Sequence, residues 1–123
     1  MIKIYLDTNF PKNLITALQS IHSIQNPQEF DIIRAQHISD SESPVIFLFD
    51  KGKKGLDIVT EKHFEAGFRV FAFKLYSEAK LDLFKLSLTV LNLWPTALEQ
   101  IKKNSDPFVF TFKNSLRSLK KVK

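Results

Sequence analysis

The chain has no cysteine and only three glycines, and each scarcity removes a class of function. Without cysteine there is no disulfide framework, no thiol nucleophile and no Cys-ligated zinc or iron–sulfur site. Gly52 and Gly55 are neither followed by a Lys-Ser/Thr pair nor spaced as Gly-x-Gly-x-x-Gly, so the chain has no glycine-rich phosphate loop. Long apolar runs are missing as well. The densest, Leu81 to Trp94, contains Asp82 and Lys85 and falls short of the roughly 18–20 residues that a bilayer span needs. The opening Met-Ile-Lys-Ile-Tyr-Leu-Asp lacks the apolar core of a signal peptide. A soluble, cytoplasmic protein with no membrane partner is expected.

What is present points to one globular domain. A length of 123 residues falls in the common single-domain range, and twelve phenylalanines predict an aromatic-rich core. The net charge of +5 is unevenly placed. Residues 113–123 hold Lys113, Arg117, Lys120, Lys121 and Lys123 and no acid; removing these five leaves thirteen basic residues against thirteen acids. The expected division is therefore a domain over residues 1–112 and a basic C-terminal tail over 113–123. Arg117, Lys120 and Lys121 are candidates for phosphate contact in that tail, which otherwise serves as a solvated end.

Hydrophobic periodicity predicts the order β-α-β-β-α-β-α-β. Ile2 to Leu6 reads as a strand ending at Asp7-Thr8-Asn9. Pro11 suits a first helical turn with Asn9 as N-cap, and Leu14, Ile15, Leu18 and Ile21 share a face of the helix that follows. Asn26-Pro27 breaks that helix, and a second strand covers Phe30 to Ala35. His37 to Pro44 reads as a loop. Val45 to Phe49 is apolar throughout, as expected of a strand buried on both faces of a parallel sheet, and ends at Asp50. After a Lys-Gly loop, Asp57 to Ala66 forms a helix closed by Gly67, and Phe68 to Leu75 the next strand. Lys80 to Leu93 is a helix with Leu81, Phe84, Leu88 and Leu91 on one face. Trp94-Pro95 restarts it as a second piece to about Lys103. Pro107 to Phe112 closes the chain's strands. The fold class is α/β, a three-layer α/β/α sandwich with a mostly parallel central sheet.

Ligand sites of such sheets collect at the carboxyl ends of strands. Asp7 and Asp50 each follow directly on an apolar strand, so parallel strands bring both carboxylates to one edge. Paired carboxylates repel unless protonated or neutralised by a hard cation, and Mg²⁺ or Mn²⁺ prefers that oxygen environment. Asp40 and Glu42, before the third strand, and Asp57, at the start of a helix, are further acids that could join them. Each aspartate also has a structural reading as a turn former, a helix cap or a dipole partner. Lys51, Lys53 and Lys54 flank the same edge and are candidates to steer a nucleic-acid backbone. His22, His37 and His63 show no metal-ligand spacing and read as surface or structural residues.

Ile4-Tyr5-Leu6-Asp7-Thr8-Asn9 followed by a helix resembles the opening of PIN and PIN-like domains, the fold of VapC-type toxins. Glu61-Lys62-His63-Phe64-Glu65-Ala66-Gly67-Phe68-Arg69-Val70-Phe71 is similar to that group's helix ending in Ala-Gly before an Arg-Val-Phe strand. Pro107-Phe108-Val109-Phe110 is similar to a closing strand of one PIN-like subfamily. The resemblance implies a metal-dependent endoribonuclease, the toxin of a toxin–antitoxin pair. Mg²⁺ or Mn²⁺ would be its cofactor, with RNA, a cognate antitoxin and a second copy of the chain as partners. Asp7 matches the first family acid, Asn9 the polar residue that orients it, and Asp50 the acid before the Ala-Gly helix. The family's middle acid stands on a helix between the second and third strands. Here only His37 to Pro44 fills that interval, with Asp40 and Glu42 as loop substitutes. That departure sets a second expectation beside the first: a catalytically reduced PIN-like binding module acting through protein or RNA contacts. A third, with Asp7 as a phosphoacceptor, lacks the Asp-x-Asp pattern, because Asn9 stands at the third place.

Overall fold

A computed structural model describes residues 2–35, 44–50, 56–74, 83–113 and 119–123. Its elements are β1 (Ile2–Asp7), α1 (Lys12–Gln25), β2 (Phe30–Ala35), β3 (Val45–Asp50), α2 (Leu56–Glu65), β4 (Arg69–Lys74), α3 (Leu83–Lys103), β5 (Phe108–Lys113) and β6 (Lys120–Lys121). They form one six-stranded sheet of order β2-β1-β3-β4-β5-β6. The first five strands are parallel; β6 runs antiparallel on β5, with Lys120 opposite Thr111 and Lys121 opposite Phe110. The segment read as a basic tail thus supplies the sheet's edge strand. Among the described residues no helix is long and apolar enough to cross a membrane.

Strand alternation sorts the side chains into two layers. Ile4, Leu6, Phe47, Phe49, Phe71, Phe73, Phe108, Phe110 and Phe112 face α1 and α3 in one core, where Phe47 stacks on Phe71 and Trp94 with ring centroids 4.6 Å away in each case. On the other face, Tyr5, Ile46, Leu48, Val70 and Val109 form a smaller core against Phe64 of α2 and Phe68. The steps β3–α2–β4 and β4–α3–β5 move the same way across the sheet yet place their helices on opposite faces, so they have opposite hands. One of them therefore departs from the right-handed rule for parallel crossovers.

Four helical expectations need correction. Pro11, not Asn9, is the N-cap of α1, with ψ of 132° and no side-chain cap bond; Asn9 is turned toward Asp7 instead. His22 fills the last buried position of α1, whereas Ile21 is exposed. α3 runs unbroken through Pro95. Pro95 is exposed, so the helix loses one hydrogen bond on its solvent side. That cost of about 3 kcal/mol is offset by burying Leu93, Trp94, Ala97 and Ile101 on either side of it, each worth roughly 1.5–3 kcal/mol for a large side chain. The buried stripe of α3 is Leu86, Val90, Leu93, Trp94, Ala97 and Ile101; Phe84, Leu88 and Leu91, expected on the inner face, are exposed, and Leu81 lies outside the described residues.

Gly67 acts as expected, and Arg69 makes a contact that no sequence pattern anticipated. Gly67 adopts φ of +95° and closes α2 with paired bonds from its own N–H to the Phe64 carbonyl and from the Phe68 N–H to that of His63. Arg69, buried at the start of β4, donates from Nη1 to the Ile101 and Asn104 carbonyls at 3.0 and 3.1 Å, tying the sheet to the carboxyl end of α3.

Candidate functional site

The strand order reverses once. From β1 the chain steps outward to β2, then returns across β1 to β3 and proceeds the other way. The crevice beyond the carboxyl ends of β1 and β3 is the switch point where ligands of open α/β sheets bind. β1 ends at Asp7 and β3 at Asp50, so the fold brings both expected aspartates to this edge.

The turn after β1 is built around the Asp7 carboxylate. The Phe10 N–H closes it on the Asp7 carbonyl at 3.0 Å. Within it, the Asn9 backbone N–H and the Thr8 hydroxyl donate to Asp7 Oδ1 at 3.3 and 3.4 Å, and Asn9 Nδ2 donates to Oδ2 at 3.3 Å. Asn9 Nδ2 also reaches the Phe49 carbonyl at 3.4 Å and thereby spans the ends of β1 and β3. Each bond is long, but together they hold both carboxylate oxygens of a half-exposed side chain in one orientation. Below the turn, Phe10 is buried and tilts onto the Phe49 ring at 5.1 Å, with its edge on Phe73 at 6.1 Å. That aromatic anchor fixes the turn to β3 and β4.

Register adds two residues that sequence reasoning did not assign here. Asp50 pairs with Lys74 of β4, and Lys74 with Lys113 of β5, so one acid and two lysines end three adjacent strands in a row. Their signal in the sequence was a basic residue directly after each apolar alternation, Arg69–Lys74 and Phe108–Lys113; Lys113 was instead counted with the tail. Asp57 is the second residue of α2. Asp40, Glu42, Lys51, Lys53, Lys54, Arg117 and His37 lie outside the described residues. Lys120 and Lys121 are described and stand apart: β6 is four strands from β1, about 19 Å at the usual strand spacing.

Both described histidines have structural partners. The Trp94 indole N–H donates to His22 Nε2 at 2.7 Å, which leaves the ring proton on Nδ1, facing the Asn26 side-chain oxygen. Burial pushes the His22 pKa below its usual value, against the smaller opposing pulls of Asn26 and Glu29. His63 faces the Val59 carbonyl at 2.8 Å and the Phe68 ring edge.

Among the described residues no group of three or more acids or histidines is assembled to hold a metal ion. The described acceptors at the switch point include the Asp7 carboxylate and the Phe49 carbonyl, both within reach of the Asn9 amide, and β3 ends one residue further on at Asp50. That set fits Mg²⁺ or Mn²⁺ in kind. No family model, curated protein or solved structure matches this chain.

Proposed function

We propose that the protein is a PIN-like endoribonuclease that hydrolyses RNA phosphodiesters with a divalent cation held at the ends of β1 and β3. The observation that supports this reading is that β1 ends at Asp7 and β3 at Asp50 on the same edge, where the strand order reverses, with Asn9 bonded to the ends of both strands. The cation, when bound, supplies polarisation of the phosphodiester and a water of lowered pKa. Asp7 and Asp50 hold it. Asn9 keeps the Asp7 carboxylate from rotating away, as outer partners of metal ligands do. Lys74 and Lys113 add positive charge at the same edge, which suits a polyanionic substrate better than a neutral one.

Cleavage of total RNA, tRNA included, in Mn²⁺, Mg²⁺ or EDTA tests the reading. Cleavage is expected only with metal. Asn9→Ala should slow it roughly 10–100-fold, and Asp7→Asn should abolish it. Cleavage that survives EDTA or Asp7→Asn overturns the assignment. RNA retained without cleavage in any metal moves the function to the second expectation, a binding module on the same fold.

A further inference from the structure

Strand pairing sorts the basic residues of the carboxyl edge by face. Asp50 of β3, Lys74 of β4 and Lys113 of β5 are register partners, so the three positions share one face of the sheet. It is the α2 face, because they stand two residues beyond Leu48, Ala72 and Thr111, and Leu48 is buried on that side with Phe64 of α2. Lys120 of β6 lies opposite Thr111 and belongs to the same face, whereas Lys121 lies opposite Phe110 on the aromatic side. Lys74, Lys113 and Lys120 therefore stand near one edge on three successive strands, and Lys120 is exposed.

The row runs to one side of the aspartates. From Asp50 it crosses β4, β5 and β6, three strand intervals or about 14 Å. In the other direction β1 ends at Asp7, whose register partner is Ala35, and β2 is the sheet's edge. Arg34 pairs with Leu6 and so stands on the aromatic side. β4, β5 and β6 contain no acid. The acids beside the row are Asp50 at its head, Asp57 in the first turn of α2, and Glu61, which pairs with Lys123 at 2.6 Å. One lysine at a strand end is ordinary and solvated. Three on neighbouring strands of one face make a linear positive track, and a cation held by Asp50 would take up the charge at its head.

A single file of cations suits one polynucleotide strand. At ~3.4 Å per nucleotide the row spans about four nucleotides, whose three internal phosphates equal the lysines in number. We infer that a single RNA strand leaving the aspartates lies across β4, β5 and β6, with Lys74, Lys113 and Lys120 each meeting one phosphate. The inference rests on the nuclease reading for its starting point, the phosphate at Asp7 and Asp50. It adds a polarity: nucleotides on one side of the cleaved bond are gripped, and those on the other side are not. Contacts to phosphate carry no sequence information, so the track positions a strand without choosing its bases.

Fluorescence anisotropy of end-labelled oligouridines with the full chain in EDTA measures the track apart from cleavage. Each phosphate contact on a single strand contributes about 0.7 to the fall of log affinity with log salt, so the native slope should be about 2. Lys74→Gln, Lys113→Gln and Lys120→Gln should each lower it by about 0.7 and weaken binding about fivefold near 0.1 M salt. Lys121→Gln, on the same short strand but the opposite face, should change neither, and Lys120→Arg should keep the native slope. Equal losses from Lys120→Gln and Lys121→Gln, or no binding of oligouridine, overturn the track. In Mn²⁺, lengthening a cleaved oligonucleotide on one side of the cut should lower KM; equal gains from both sides overturn the polarity. Cleavage with slopes that none of the lysines moves keeps the nuclease and discards the track. Slopes that the lysines do move, without cleavage in any metal, keep the track and discard the nuclease.

Discussion

The two faces of the sheet are built on different scales. The α1–α3 face takes nine of the twelve phenylalanines and the tryptophan, and it carries two helices. The α2 face buries Tyr5 and four aliphatic side chains under one helix, with Phe64 and Phe68 at its margin. The same strands make both. Phe47 and Phe49 alternate with Ile46 and Leu48, Phe71 and Phe73 with Val70 and Ala72, and Phe108, Phe110 and Phe112 with Val109 and Thr111. A large-small alternation on a pleated strand thickens one layer and thins the other. The aromatic layer carries α1 and α3, and the smaller layer carries α2.

Truncation on each face should expose that difference most strongly. Phe47 touches Phe71, Phe73 and Trp94 at once, so Phe47→Ala should cost at least about 3–5 kcal/mol. Val70→Ala, equally buried on the thin face, removes two methyl groups and should cost about 2 kcal/mol. Chemical denaturation of both variants measures the gap, and equal losses would show that the faces share the load.

A smaller contrast concerns pH. The folded His22 ring refuses a proton because Nε2 already accepts from Trp94 and the site is buried among Trp94, Phe30 and α1; Glu29 pulls weakly the other way, and Asp31, Glu99 and Lys102 line the surfaces beside it. With the folded pKa lowered, the unfolded chain binds more protons below about pH 6.5, the ordinary histidine value. Stability is therefore full above that pH and falls as pH drops beneath it, by up to about 1.4 kcal/mol per pH unit until the folded ring itself titrates. Denaturation midpoints at pH 7.5 and 5.5 should separate for the native chain more than for His22→Gln; equal separations would place the effect elsewhere.

The smallest effect belongs to the thin face. Lys123 Nζ pairs with Glu61 of α2 at 2.6 Å and lies 5.4 Å from the Phe64 ring centroid, joining the chain's end to the helix. Both charged side chains are well exposed, so Glu61→Gln should cost under about 1 kcal/mol. A larger loss would mean that β6 depends on that pair for its place.

Much of this architecture was legible one strand at a time. Phe30 to Ala35 is the strand expected, and the wholly apolar Val45 to Phe49 is buried on both sides as a central parallel strand should be. Asp7 and Asp50 stand at strand ends as expected, because a strand's apolar run stops where its carboxyl end reaches water. α3 was misread for a physical reason. It has two apolar stripes, and helical periodicity gives each the same weight. Asn9 was misread because asparagine caps a helix or clamps an aspartate with the same amide, and Pro11 took the cap.

The sequence by itself determined the order of the first eight elements, the strand-end aspartates, the absence of thiol chemistry and the phenylalanine alternation that sends aromatic side chains to one face, because each is a property of local spacing or composition. The tertiary structure alone decided which stripe of α3 turns inward, since only the stack of Trp94 on Phe47 and its bond to His22 distinguish the two. It alone decided the register that lines Lys74 and Lys113 up with Asp50, and the crossover of opposite hand that sets α3 beside α1. Register and handedness are relations between strands distant in the chain, and no local pattern carries them.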